Sequence, residues 1–260
     1  MRINANGLDI NYQVDGPEGA PWIAFSNSLA TDLSMWDQQA AELSKSFRVL
    51  RYDQRGHGGT QVTEGRYNFG QLATDLVALF DALSIRRPHV VGISMGGMTA
   101  LALAQQYPDR VDRLVPCDCG PASSPASLQQ WEERIAIVEK QGMEPLVDVT
   151  LARWFPPEFA QSQPKVVDKV RAMIRSTPPK GFIGCAGALA NYDLKAGLPG
   201  IKRPTLLIVG TKDATVPGIK LINQSVPGSR VVELQGAGHL SNLEQPAAFT
   251  EAVRAFLAGS

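Results

Sequence analysis

One short passage constrains this chain more than any other: Val90-Val91-Gly92-Ile93-Ser94-Met95-Gly96. A β-branched apolar run leads straight into Gly-x-Ser-x-Gly, and an uncharged helical pattern follows, stopping before Pro108. A serine there sits on a sharp strand-to-helix turn, with glycines removing the side chains that would collide around it. The helix start behind it favours negative charge. The ordinary alternative is a glycine-rich turn with an incidental serine, but a strand before and a helix after are the context a nucleophile requires. The uncharged stretch from Val90 to Tyr107 is long enough to test as a membrane span. It contains Gly92, Ser94, Gly96, Gly97, Thr99, Gln105 and Gln106, which is too polar for one.

Around this turn, β-rich apolar runs alternate with helical patterns, the signature of βαβ units on a parallel sheet. Strands are expected at Ile10–Val14, Trp22–Phe25, Arg48–Tyr52, Val90–Ile93 and Arg113–Cys117. Asn68 with Gln71 reads as a capped helix start, and Phe69, Leu72, Leu76, Leu79 and Leu83 follow at helical spacing. After Gly120 the character changes. Pro121-Ala-Ser-Ser-Pro125 marks a loop, and the next stretch is helical, with faces Leu128, Trp131, Ile135, Val138 and Val166, Val167, Val170, Ile174. Pro156-Pro157 and Pro178-Pro179 cut it into short pieces. Strand pattern returns at Thr205–Val209 and Arg230–Leu234, with a last helix at Pro246–Leu257. The expected architecture is α/β: a mostly parallel central sheet flanked by helices, with a core at 1–120 and 200–260 and a helical cap, or lid, at 121–199. An insertion placed after a strand lies over the carboxyl ends, where ligands bind.

A serine hydroxyl needs a base to accept its proton. The chain holds 3 histidines. His89 opens the strand leading to the turn and belongs at the wrong end of the sheet. His57, in Asp53-Gln-Arg-Gly-His57-Gly, lies nearer but in a turn that reads as backbone-fixing. His239, in Gly236-Ala-Gly-His239-Leu, follows the last strand and completes the chain order Ser…Asp…His. It is the expected base. The orienting acid is expected at Asp213, at the end of the Thr205–Val209 run, with Asp118 as the competitor after Cys117. Two backbone N–H groups must hold the oxyanion. Met95, which follows the nucleophile, supplies one; the loop Ser26-Asn-Ser-Leu-Ala30 supplies the other, expected at Ser28 with Asn27 and Leu29 adjacent.

With these elements in this order around a helical insertion, the chain resembles the α/β-hydrolase family over nearly its whole length. Within it the chain is most similar to the 3-oxoadipate enol-lactonases of the β-ketoadipate route of aromatic catabolism. The resemblance rests on Ser26-Asn-Ser-Leu-Ala-Thr-Asp-Leu-Ser-Met-Trp36-Asp37, Arg51-Tyr-Asp-Gln-Arg-Gly-His-Gly58 and Gly92-Ile-Ser-Met-Gly-Gly-Met98. Trp131-Glu-Glu-Arg134-Ile and Gly238-His-Leu-Ser-Asn-Leu-Glu-Gln-Pro246 are more discriminating. The chain departs from the pattern at Asp213-Ala-Thr-Val-Pro217-Gly218 and at Pro116-Cys-Asp-Cys119. The resemblance implies attack of Ser94 on an enol-lactone that also carries a free carboxylate, with neither metal nor organic cofactor. Arg134 would pair with that carboxylate, and Trp131 and Trp154 would form apolar walls. The plainer alternatives are a surface arginine paired with Glu133 and tryptophans that fasten the cap to the core.

Composition removes other classes. The chain has 25 basic and 25 acidic residues in 260, and 121–200 is locally even at nine against eight. A nucleic-acid partner is therefore not expected. The 3 cysteines are too few and too odd in number for a disulfide framework. Cys117-x-Cys119 has no further ligand at metal spacing. The N-terminal segment lacks the apolar region of a signal peptide, so a cytoplasmic protein without membrane attachment is expected. A homo-oligomer stays open. Rival readings are another lactonase, a carboxylesterase or a perhydrolase, a ligand-binding protein with little turnover, and cofactor-free oxygen or carbon–carbon bond chemistry. Fold and triad alone do not separate the enzymes among them.

Overall fold

A computed structural model describes residues 1–259. The apolar runs become strands β1 (Arg2–Ala5), β2 (Leu8–Asp15), β3 (Trp22–Ser26), β4 (Arg48–Tyr52), β5 (His89–Ile93), β6 (Leu114–Cys117), β7 (Leu206–Gly210) and β8 (Arg230–Leu234). They form one 8-stranded sheet in the order β1-β2-β4-β3-β5-β6-β7-β8. The two leading strands pair antiparallel with their neighbours, and β3 to β8 run parallel. Every residue of β5 and β7 is buried, because a parallel sheet is covered on both faces.

β1 is absent from the sequence expectation. Its signal was the Asn6-Gly7 pair, with φ of 56° and 68°, the turn that joins two twisted strands directly. Pro116 sits inside β6, where it has no N–H to donate. The pairing of β6 with β7 shows the cost: contact at Leu114–Thr205 and Cys117–Ile208, with a gap opposite the proline.

Helices α1 (Asp37–Leu43), α2 (Phe69–Ala82) and α3 (Met95–Gln106) follow in the first half. Asn68 caps α2 by accepting from the Gln71 N–H at 2.8 Å, and Phe69, Leu72, Leu76 and Leu79 are buried. Between β6 and β7 lie α4 (Pro125–Gln141), α5 (Glu144–Trp154), α6 (Pro157–Ser162), α7 (Pro164–Ser176) and α8 (Pro179–Ala190). Each begins with proline in its first turn, where the missing N–H costs nothing. Ile135 and Val138 of α4 are buried, but Leu128 is exposed. Its neighbours Ser127 and Trp131 line a hollow, so the first turns of α4 overhang a cavity instead of packed core. The chain closes with α9 (Val216–Ser225), α10 (Ser241–Glu244) and α11 (Pro246–Ala258).

The 125–190 segment is fastened at its rim by Arg66–Glu132, Lys169–Asp37, Lys180–Glu64 and Lys212–Glu158 ion pairs. Exposed pairs of this kind are worth at most about 1 kcal/mol each. Closer attachment comes where α8 crosses the Asp53–Gly58 turn: a Cβ on Gly181 would stand 1.8 Å from the Gly56 carbonyl oxygen. That turn is itself braced by a buried bidentate pair, Arg55 to Asp75 at 2.6 and 2.7 Å. Among the described residues no helix is long and apolar enough to cross a membrane.

Candidate active site

Ser94 stands at the sharp turn between β5 and α3 with φ 55° and ψ −119°, a conformation that L residues rarely hold without enforcement. The enforcement is local. The Ser94 N–H donates to the Cys117 carbonyl at 2.8 Å. A Cβ on Gly92 would stand 2.2 Å from the Gly96 carbonyl oxygen, and one on Gly96 2.0 Å from that of Ser26. The two glycines are thus required by close backbone approach.

The loop between β8 and α10 brings His239 to this serine. Its Nε2 lies 2.9 Å from Ser94 Oγ, and its Nδ1 3.0 Å from both carboxyl oxygens of Asp213. With Nδ1–H donating to a carboxylate, Nε2 is left free to accept the serine proton. The His239 N–H donates to the Trp154 carbonyl at 2.8 Å, and its ring stacks on that of Trp154 at 5.9 Å. Burial pulls the Asp213 carboxyl upward. His239 and the Thr215 hydroxyl outweigh it and hold the group below the usual carboxylate range.

Asp118 does not share this contact. It has φ 45°; one oxygen accepts from the Gly210 N–H at 2.8 Å and the other from the Ser241 hydroxyl. It therefore ties the end of β7 to the histidine loop, and burial with the nearby Asp213 charge holds its pKa well above normal. His57 is fully buried and donates from Nδ1 to the Arg55 carbonyl at 3.2 Å, while burial pushes its pKa down to about 4. It does not line the cavity at Ser94. His89 sits at the other end of β5, beside Asp112.

Ser94, Asp213 and His239 open into a cavity of about 360 Å³ whose apolar walls include Leu29, Met98, Trp131, Trp154, Leu189 and Tyr192. At two places the lining differs from the residues singled out in the sequence. From the β3 loop it is Leu29, not Ser28, that reaches the cavity. Ser28 is fully buried, and its carbonyl accepts from the Thr31 hydroxyl at 2.8 Å. Asn27 next to it is locked by Trp36 Nε1, which donates to its side-chain oxygen, and by the Tyr52 carbonyl, which accepts from its side-chain amide.

The second difference concerns the cation. Arg134 does not line the cavity; its guanidinium lies over the Trp131 ring at 4.7 Å. The arginine on the lining is Arg153, 5.8 Å from the same ring. Arg153 keeps contact with solvent, yet the protein packed round its guanidinium and the adjacent Arg134 charge push its pKa down to about 10. Neither arginine is hydrogen-bonded to a carboxylate among the described residues. Sequence points to Trp154 but cannot favour the arginine before it, because that depends on how α5 crosses α4. Among the described residues no cluster of three or more His, Cys, Asp or Glu could hold a metal, and Cys117, Cys119 and Cys185 are buried free thiols.

A strained serine, a histidine hydrogen-bonded between it and a carboxylate, and a cavity on the carboxyl ends of a parallel sheet define a class, and the sequence pattern of the alpha/beta hydrolase fold family matches residues 21–246. This chain belongs to that family. It is 36% identical to 3-oxoadipate enol-lactonase 2 of Acinetobacter baylyi, over 98% of this chain and 95% of the relative. Among solved structures it is similar to the enol-lactonase from Burkholderia xenovorans LB400, with 41% identity, a TM-score of 0.95 and 99% of each chain covered. A thermophilic esterase from Thermogutta terrifontis, solved with malate bound, matches with 30% identity and a TM-score of 0.92, over 99% of this chain and 97% of that one.

Proposed function

We propose that this chain is a cytoplasmic serine hydrolase of small lactones or carboxylic esters. Its preferred substrate is an enol-lactone bearing a free carboxylate, of the 3-oxoadipate enol-lactone kind, and it serves aromatic-compound catabolism. The observation that carries this reading is the unbroken hydrogen-bonded line from Asp213 through His239 to Ser94 at the wall of a largely apolar cavity. Residues 121–199 act as a cap over the 1–120 and 200–260 core, since the cavity is lined from both.

In this reading Ser94 Oγ attacks the lactone carbonyl as His239 Nε2 takes its proton, and Asp213 stabilises the imidazolium without itself becoming protonated. The N–H groups of Met95 and Leu29 hold the oxyanion. Cleavage of the ring bond expels an enolate, which takes the proton from His239 and, as the neutral enol, isomerises to the ketone. Water, deprotonated by His239, then attacks the acyl-serine ester and frees the diacid. Arg153, an unneutralised cation on the lining, pairs with the substrate's free carboxylate; Arg134 stands behind Trp131 and reinforces it. The esterase relative solved with malate bound is a protein of this fold that takes up an anionic acid. The same relative's name favours a second reading, a simple esterase.

A panel of enol-lactones, saturated lactones and short-chain esters, with Ser94→Ala as the blank, separates the two. Steady turnover of the carboxylate-bearing enol-lactone, with simple esters far slower, is the expected outcome. Equal or faster turnover of uncharged esters would establish the esterase reading instead, and a wild-type rate equal to the blank would remove both.

A further inference from the structure

Glu244 takes no part in the proton path above, yet it is fastened directly to it. From the short helix α10 its Oε2 accepts from the N–H of Gly238 at 2.8 Å, the peptide immediately before His239. The next N–H, that of His239, is held by the Trp154 carbonyl. Two successive amides at the histidine are therefore pinned by acceptors from different elements. The other carboxyl oxygen, Oε1, is buried and meets no donor.

The groups facing Glu244 are Asp213 and Lys212 from the loop after β7, and Asp118 from the end of β6. Lys212 is paired with Glu158 of α6, so its charge is partly spent elsewhere. Three carboxyls thus lie within electrostatic reach of one another beside the histidine loop, and they cannot all ionise freely.

We infer that Glu244 is a positioning residue for His239: it fixes the peptide before the imidazole, and its own charge helps hold the imidazolium that forms as Ser94 is deprotonated. The inference rests on His239 acting as the base. Burial and the Asp213 charge bring the Glu244 carboxyl up to about 7, so it changes charge in the working range. When protonated on Oε1 it still holds the Gly238 N–H through Oε2 but contributes no charge. Turnover gains an ionisation of its own as Glu244 deprotonates.

The test measures kcat and KM for p-nitrophenyl acetate between about pH 5 and 10 in the wild type, Glu244→Gln and Glu244→Ala, with Ser94→Ala and His239→Ala as controls. Glu244→Gln keeps an acceptor for Gly238 while removing the charge. It is expected to lower kcat about threefold to tenfold above neutral pH, with KM little changed, and to lose the ionisation near 7. Glu244→Ala loses acceptor and charge together, and kcat is expected to fall about 10- to 100-fold. If the glutamine variant and the wild type give superposable pH profiles, the inference is overturned whatever the alanine variant does, because a merely structural role would leave the profile in place. Should alanine fail to fold, the glutamine variant still decides. Activity surviving in Ser94→Ala or His239→Ala would instead overturn the catalytic reading beneath it.

Discussion

The carboxyl end of the sheet and the helical segment over it are built on different principles. At the sheet, position is enforced by backbone: Gly92 and Gly96 in close contact, a serine at φ 55°, a peptide N–H locked to Cys117. Over it, the cavity wall is made of side chains, Trp131, Arg153, Trp154 and Leu189, on helices held at their rim by exposed ion pairs. Backbone-built geometry tolerates no substitution but keeps its chemistry for any substrate. Side-chain geometry can be altered residue by residue, and selectivity follows it.

The sharpest way to break this contrast is to remove the groups proposed to react. Ser94→Ala is expected to lower kcat about a millionfold with binding retained, and Asp213→Asn about ten-thousandfold through the wrong histidine tautomer. Asp118→Asn should cost far less, since Asp118 serves the strand end and Ser241 and not the imidazole. Steady-state rates on one substrate check all three; comparable losses at 118 and 213 would erase the distinction between them. Next in size is the scaffold. Asp75→Asn leaves Arg55 buried without its partner and is expected to destabilise by about 3–5 kcal/mol in denaturant titration, with kcat per folded molecule preserved.

Selectivity comes third. Arg153→Ala should raise KM for a carboxylate-bearing lactone by about 10- to 100-fold and leave a neutral ester unaffected, as loss of one charge-assisted contact does. Arg134→Ala should do less, because it lies behind the tryptophan. A smaller effect concerns pH. Glu244 binds its proton more tightly in the folded chain, at about 7 against an ordinary 4.5, so its stabilising contribution is complete below 4.5 and disappears as pH rises through about 7. Melting curves for the wild type and Glu244→Gln should diverge across that window. Smallest of all, Lys180→Ala or Glu132→Gln should cost under about 1 kcal/mol, and less in high salt.

How legible each part was follows from the same contrast. Ser94, Asp213 and His239 could be read because strand, turn and chain order are written in short stretches of sequence. The Asn68 cap was readable for the same reason. β1 was missed although Asn6-Gly7 announced it. That Leu29 and not Ser28 lines the cavity is a matter of one residue, in a loop whose Asn27 is held by Trp36 and Tyr52, groups that lie beyond the loop itself. Arg153 against Arg134 depends on the crossing of two helices, and no periodicity in either helix contains it. The exposure of Leu128 likewise reflects the hollow beneath α4 and not a weaker amphipathic pattern.

The carbonyl of Trp154 carries one more implication. It is the acceptor for the His239 N–H, and its own ring lies on the imidazole, so the covering helices supply part of the frame in which His239 is held. They are not a detachable module. A shortened chain joining β6 directly to β7 would be expected to fold its sheet and yet leave the histidine loop adrift. Grafting a different set of helices onto this sheet would succeed only where the donor brings a backbone oxygen to the same point. Side chains of the covering segment can thus be exchanged without touching that frame, while its excision would remove part of it.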